Sequence, residues 1–134
     1  MNHTGSEAEL QELDAYKSLF DRVERQPLTP EQRAACVSNA RNTLVLAGAG
    51  TGKTSTLAGR AAYLQASGKA RPEQILLLAF AREAANEMDS RIASRQTQQD
   101  KSVEARTFHA LGLSIVQEVE QTTIALSELS DEAV

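Results

Sequence analysis

Apolar positions repeat with two different periods along this chain, and the two alternate. Leu10, Leu13, Tyr16, Phe20 and Val23 fall three and four residues apart, which predicts an amphipathic helix over about residues 7–26 that Pro27 ends. Thr29-Pro30-Glu31-Gln32 announces a second helix to about Ala40, with Thr29 as N-cap and Pro30 in its first turn. Thr43-Leu44-Val45-Leu46 is a short apolar run and predicts a strand. Residues 53–66 return to helical spacing, and Gly68 stops them. Ile75 to Phe80 is unbroken apolar sequence, the mark of a strand covered on both faces. Residues 81–95, rich in Ala, Glu and Arg, predict a helix. Gln96 to Lys101 reads as an exposed loop, Val103-Glu104-Ala105 as a short strand, and residues 108–120 as a last helix. The final dozen residues carry weak periodicity and predict a frayed tail.

Strands alternating with helices predict an α/β fold, a parallel sheet with helices on its faces and right-handed crossovers. Ligands in such sheets sit at the carboxyl ends of the strands. The loops after Leu46, Phe80 and Ala105 are therefore expected to converge on one rim. A chain of 134 residues with 41% hydrophobic content can bury a core of one modest domain. Its net charge of −4 provides no global basic field, so any nucleic-acid contact has to be local. The single Cys36 excludes an internal disulfide and fits a reducing compartment, and among Ala34, Ala35 and Val37 it reads as a small buried residue. Met1-Asn2-His3-Thr4 lacks a signal-peptide pattern, and no apolar stretch approaches membrane-spanning length. A soluble, cytoplasmic protein with no membrane partner is the expectation.

The candidate chemistry lies between the first predicted strand and the helix after it. Ala47-Gly48-Ala49-Gly50-Thr51-Gly52-Lys53-Thr54 has the order that a triphosphate-binding loop needs. Glycines let main-chain N–H groups curl around phosphate oxygens, Lys53 reaches the β- and γ-phosphates, and Thr54 offers its hydroxyl to Mg2+. The following helix points its positive N-terminal end at the same anion. The first position is Ala47 rather than Gly, and the bland alternative is a glycine-rich turn joining strand to helix.

Four segments together resemble superfamily 1 DNA helicases of the UvrD/Rep type. Leu28-Thr29-Pro30-Glu31-Gln32-Arg33 resembles their Q motif and Ala47–Thr54 their motif I. Phe80-Ala81-Arg82-Glu83-Ala84-Ala85-Asn86-Glu87-Met88 resembles motif Ia, and Thr107-Phe108-His109-Ala110-Leu111 motif Ib. The likeness covers about residues 20–120, and Ala81-Arg82 stands where many relatives carry Thr-Asn. It implies a P-loop NTPase (RecA-like) sheet, here incomplete, organised as an N-terminal amphipathic helix (1–26), a partial first motor domain (27–121) and a C-terminal tail (122–134).

The resemblance also implies roles. ATP with Mg2+ would be held by Gln32 and by Ala47, Gly48, Ala49, Gly50, Thr51, Gly52, Lys53, Thr54 and Ser55, with Lys53 and Thr54 catalytic and Thr54 on the metal. Single-stranded DNA would meet Phe80, Ala81, Arg82, Thr107, Phe108 and His109. Local readings compete with several of these. Gln32 pairs in geometry with N6 and N7 of adenine, but it also lies three residues after Thr29 in a capping box, and one amide cannot fully serve both. Phe80 is either a base-stacking residue or the last core residue of its strand. Arg82 is either a phosphate contact or a solvated first-turn residue. His109 is either a phosphate or sugar donor or a surface residue at a helix start, with Thr107 as its cap. Ser55 stands where many relatives have an arginine.

Hydrolysis needs a further acidic residue at the end of a second strand to hold Mg2+. Asp131-Glu132 follows Leu129-Ser130 rather than an apolar strand and reads as tail. In the family the acidic motif and the arginine-supplying motifs lie beyond residue 134, so the rest of a helicase chain is the expected partner for full activity. A binding module that takes nucleotide or single-stranded DNA without hydrolysis is the alternative. A small P-loop kinase would explain residues 47–54 alone.

Overall fold

The computed structural model describes residues 6–48, 50, 52–93 and 103–121. Its first helical stretch is two helices, α1 (Glu7–Ala15) and α2 (Lys17–Arg22), joined at Tyr16 with φ −104° and ψ 16°. The single helix expected over 7–26 is therefore broken, and tertiary packing accounts for the break. The Tyr16 ring meets Tyr63 edge-on at 5.2 Å, while Phe20 is fully buried beside the same ring. An unbroken helix would hold these two rings at a fixed rotation, and the bend at Tyr16 lets both dock. Ser6 closes the start of α1 in a capping box with Glu9.

Helix α3 (Pro30–Val37) starts at the Thr29 cap as expected but stops three residues short of Ala40. Beyond Val37, side chains take over the backbone groups that a longer helix would use. Asn39 N donates to Glu9 Oε1 at 3.0 Å and Ala40 N to Ser38 Oγ at 3.3 Å. Helix α4 (Lys53–Ala66) has the expected bounds, and Gly68 just beyond it is left-handed at φ +67°. Phe20, Val23, Leu28, Cys36, Val37 and Tyr63 form one apolar cluster that fastens α2, α3 and α4 together. Gly59 permits that packing, because a Cβ there would lie 2.6 Å from Leu28 Cδ1 and 3.0 Å from Cys36 Sγ.

The strand expected at Thr43–Leu46 does not form. Leu44 and Leu46 are 82% and 84% exposed, and no strand among the described residues pairs with this segment. A central parallel strand is held by neighbours on both edges and helices on both faces. Apolar sequence without those partners stays extended and solvated.

A single 3₁₀ turn (Pro72–Gln74), unmarked in the periodicity, leads into β1 (Leu76–Ala79). Helix α5 (Arg82–Ala93), β2 (Glu104–Thr107) and α6 (Phe108–Glu120) follow. β1 and β2 pair in parallel, Leu76 opposite Glu104 through Ala79 opposite Thr107, so the described chain is α/β with a two-stranded parallel sheet. Helix α5 lays Ala85, Met88 and Ile92, spaced three and four apart, over Leu77, Ala79, Val103 and Ala105. Asp89 Oδ1 adds a fixed link by accepting from Ala105 N at 2.7 Å. Among the described residues, only this face of β1 is well covered. Leu76 is 48% exposed, which corrects the expectation of burial on both faces. The expected loop at 96–101 and the tail with Asp131-Glu132 lie outside the described residues.

Candidate functional site

The phosphate-loop segment is positioned from its C-terminal side, by α4, since no strand among the described residues holds its start. Gly52 is the junction. It sits at φ +86°, which disfavours any side chain, and a Cβ there would lie 2.5 Å from Gln32 Nε2. Its carbonyl accepts from Thr56 N at 2.9 Å, Thr56 Oγ1 at 3.0 Å and Gln32 Nε2 at 3.4 Å. Thr56 is buried, and it carries an anchoring role that the motif pattern leaves unmarked. Gly50 is also left-handed, at φ +73°, but faces open space.

Gln32 sits in the first turn of α3, and the expected capping box forms there. Thr29 N donates to Gln32 Oε1 at 2.9 Å, and Gln32 N donates to Thr29 Oγ1 at 3.3 Å, which completes the capping box. The same amide then reaches across to Gly52. Lys53, exposed at the start of α4, folds over the loop: its Nζ donates to Ala47 O at 3.1 Å and Gly48 O at 3.2 Å. Thr54 and Ser55 follow in the same turn, half-buried. Ala49 and Thr51 lie outside the described residues. These features fit a nucleoside triphosphate with Mg2+: left-handed glycines, a lysine folded back over the loop, and a threonine at a helix start whose N–H groups are orphaned.

A cleft of about 790 Å³ opens beside this junction, a size usual for small-molecule sites. Three segments line it: Glu24 to Thr29 before α3, the loop residues Gly50 and Gly52 with Gln32 and Ser55, and the far end of α5. Arg91, on α5, donates through Nη1 to Ser55 Oγ at 3.4 Å and lies 3.7 Å from Glu24 Oε2. Its Nη2 is paired with Glu87 one turn back. Neither Arg91 nor Glu24 carries a sequence signal for this location. Only the Glu87/Arg91 spacing of four marks them as neighbours on one helix face.

The second group of candidate residues lies at the carboxyl edge of the sheet. The register ends with Ala79 opposite Thr107, so Phe80 and Phe108 follow directly on two adjacent strands. Phe80 is 86% exposed and Phe108 58%, so Phe80 is not part of the core formed by the described residues. Ala81, Arg82 and His109 are exposed beside them. Thr107 caps α6, its Oγ1 accepting from Ala110 N at 3.1 Å. Two of the three loops expected on one rim are thus brought together by strand register. The phosphate loop is not, because the strand that would carry it there is unformed.

Elsewhere, α1 is tied to α4 by a polar cluster. Lys69 Nζ is 2.8 Å from Glu12 Oε1 and 3.3 Å from Asn39 Oδ1, and it also bonds the Tyr63 hydroxyl. The Lys69 hydrogen bond, followed by that of Tyr63, holds Glu12 below the usual carboxylate range, and Glu12 in turn raises Lys69. Burial pushes the Cys36 thiol up to about 12, against the opposing pull of Arg60. Among the described residues no helix is long and apolar enough to cross a membrane, and no group of three or more His, Cys, Asp or Glu could hold a metal ion.

Comparison with known proteins agrees with the arrangement of motifs. The family model described as UvrD/REP helicase N-terminal domain matches residues 28–130. DNA helicase IV of Escherichia coli (strain K12) is 50% identical over 120 residues, which is 90% of this chain and 17% of that protein. The ATP-dependent DNA helicase UvrD2 of Mycobacterium bovis is 43% identical over 88 residues, covering 62% of this chain and 13% of its own length. A probable DNA helicase II homolog of Mycoplasma pneumoniae is 35% identical over 102 residues, or 75% of this chain and 14% of that protein. This chain therefore spans a small fraction of each relative's length, and within that span it belongs to the UvrD/REP helicase N-terminal domain family.

Proposed function

We propose that this chain is the ATP-gripping part of a RecA-like P-loop motor domain in a DNA helicase that moves 3′ to 5′ along single-stranded DNA. By itself it grips ATP and does not unwind DNA. The observation that carries the proposal is the Gln32 amide, which runs from the Thr29 cap to the Gly52 carbonyl and so joins the base-reading segment to the phosphate loop. The cap and the Gly52 bond draw on the same Oε1 and Nε2 groups that adenine would use, so base and cap share one amide.

In this reading the Gly48–Gly52 backbone cradles phosphate, Lys53 neutralises its charge, and Thr54 holds Mg2+. Bound ATP supplies the phosphoryl-transfer free energy, and cleavage draws on an acidic residue and arginines from the rest of the helicase. Phe80 and Phe108 stack on bases, with Arg82 and His109 near phosphate and Ala81 and Thr107 shaping the backbone between them. A motor of this kind works in the cytoplasm. The exposed aromatic pair at the carboxyl edge of the sheet supports the DNA half of the proposal.

The test is titration of Mg2+-ATP and Mg2+-GTP into the wild type, Gln32→Ala and Lys53→Ala, with circular dichroism confirming the fold. ATP should bind tighter than GTP in the wild type, Gln32→Ala should erase the difference, and Lys53→Ala should lose both nucleotides. Equal affinity for the two bases, unchanged by Gln32→Ala, defeats the adenine assignment, and retained binding in Lys53→Ala removes that lysine from the site. For DNA, Phe80→Ala combined with Phe108→Ala should weaken a fluorescent oligothymidylate at least tenfold without lowering the melting temperature. Unchanged DNA affinity removes both rings from the track.

A further inference from the structure

We infer that Arg91 forms the wall of the nucleoside end of the cleft, presenting the flat face of its guanidinium to the purine ring of a bound nucleoside triphosphate. This inference rests on the nucleotide reading above and extends it to a residue 36 positions beyond Ser55 in the chain. The cleft runs from Gly50 and Gly52, where phosphate chemistry is concentrated, past Gln32 and Ser55 to the last turns of α5. A triphosphate held at the loop, with its base toward Gln32, brings that base against α5. Arg91 is the planar group there.

The bonding of Arg91 decides what it can offer. Nη1 serves Ser55 Oγ and Glu24 Oε2, and Nη2 serves Glu87 Oε1. With two carboxylates beside it, the guanidinium charge is neutralised and its hydrogen-bonding edge is engaged. Such a group attracts phosphate poorly. Its two faces, by contrast, are fixed in orientation by the same bonds, and a fixed guanidinium plane stacks well on an aromatic ring. Arg25, the other cation among the described residues that line the cleft, is exposed. The α5 end of the cleft, with Glu24 and Glu87 against Arg91, therefore carries a net negative charge, which disfavours phosphate there, suits an uncharged base and directs the anionic end of the ligand toward Lys53.

The inference separates the two ends of one ligand, and so does its test. Mg2+-ATP and Mg2+-tripolyphosphate are titrated calorimetrically into the wild type, Arg91→Ala and Arg91→Lys. Arg91→Lys keeps a cation for Glu24 and Glu87 while removing the plane, so it guards against a variant that only unfolds. Both substitutions should weaken ATP about tenfold and leave tripolyphosphate within twofold. Unchanged ATP affinity in Arg91→Ala, full rescue by lysine, or equal loss of both ligands each overturns the role. A wild type that binds tripolyphosphate as tightly as ATP overturns it too, since the base then adds nothing, while the loop's phosphate role stands. A wild type that binds neither ligand refutes the nucleotide reading itself, and this inference with it.

Discussion

Replacing Gly52 by alanine should cost more than replacing Gly50, and the excess should depend on Gln32. Both glycines are left-handed, at φ +86° and +73°, so each alanine carries the backbone strain of that region, roughly 1–2 kcal/mol. That strain largely cancels in the comparison. The surroundings differ: a Cβ at Gly50 meets nothing within 4 Å, whereas one at Gly52 lies 2.5 Å from Gln32 Nε2. The amide must swing away, giving up its 3.4 Å bond to the Gly52 carbonyl and its 2.9 Å bond from Thr29 N. Losing a cap costs about 0.5–2 kcal/mol, and the long bond to Gly52 belongs at the low end of a range near 0.5–1.5 kcal/mol. Gly52→Ala should therefore be about 1–2.5 kcal/mol worse than Gly50→Ala, the range for the cap with about 0.5 kcal/mol added for the long bond. Urea unfolding followed by far-ultraviolet circular dichroism measures the difference, and repeating both substitutions in a Gln32→Ala background makes a double-mutant cycle. In that background the excess should vanish. Equal costs in the wild type, or an excess that persists without Gln32, refutes the coupling between cap and loop.

Other expectations follow from the same structure. Phe20→Ala should destabilise the whole fold by about 3–5 kcal/mol, because Phe20 is fully buried between α2, α3 and α4; a loss under about 1 kcal/mol in urea would show that α2 is only loosely attached. The Glu12–Lys69 pair should stabilise the docking of α1 on a plateau from about pH 5 to pH 10. Glu12 is lowered, so its contribution is complete above the unfolded carboxylate range and lost as pH falls through the folded value; Lys69 is raised, so its contribution is lost only as pH rises past its folded value. Tyrosine emission reports this directly, since the chain has two tyrosines and no tryptophan, and a wild-type minus Glu12→Gln difference that does not shrink in acid would contradict it. Cys36, with its thiol pushed up to about 12, should react with a disulfide reagent at pH 8 on the order of a thousandfold more slowly in the folded chain than in urea. Rapid labelling without denaturant would show that the cluster around it opens freely.

What could be read from sequence was what local chemistry decides. The bounds of α4 and α6 are legible because Gly52, Gly68 and Thr107 act on their immediate neighbours, and the Thr29–Gln32 capping box is complete within four residues. Three features depend on distant partners and could not be read that way. Tyr16 breaks a regular helical period because Tyr63 lies across from it. Thr43–Leu46 has strand composition, but a strand is made by its neighbours, and none among the described residues pairs with it. Arg91 reaches the cleft through contacts with Ser55 and Glu24 that no spacing announces. Of the candidate site, the loop glycines, Lys53 and Gln32 were legible, while the α5 wall and the Thr56 anchor were not.

Helix α5 has a mechanical consequence. It begins at Arg82 beside the exposed aromatic edge and carries Arg91 to the cleft, and it is pinned between them where Asp89 grips β2. At 1.5 Å per residue, Arg91 stands about 3 Å beyond that pin and Arg82 about 10 Å before it. The apolar stripe of Ala85, Met88 and Ile92 is held on the sheet on both sides of that pin, so the cleft and the aromatic edge are tied to the two ends of one rigid strut.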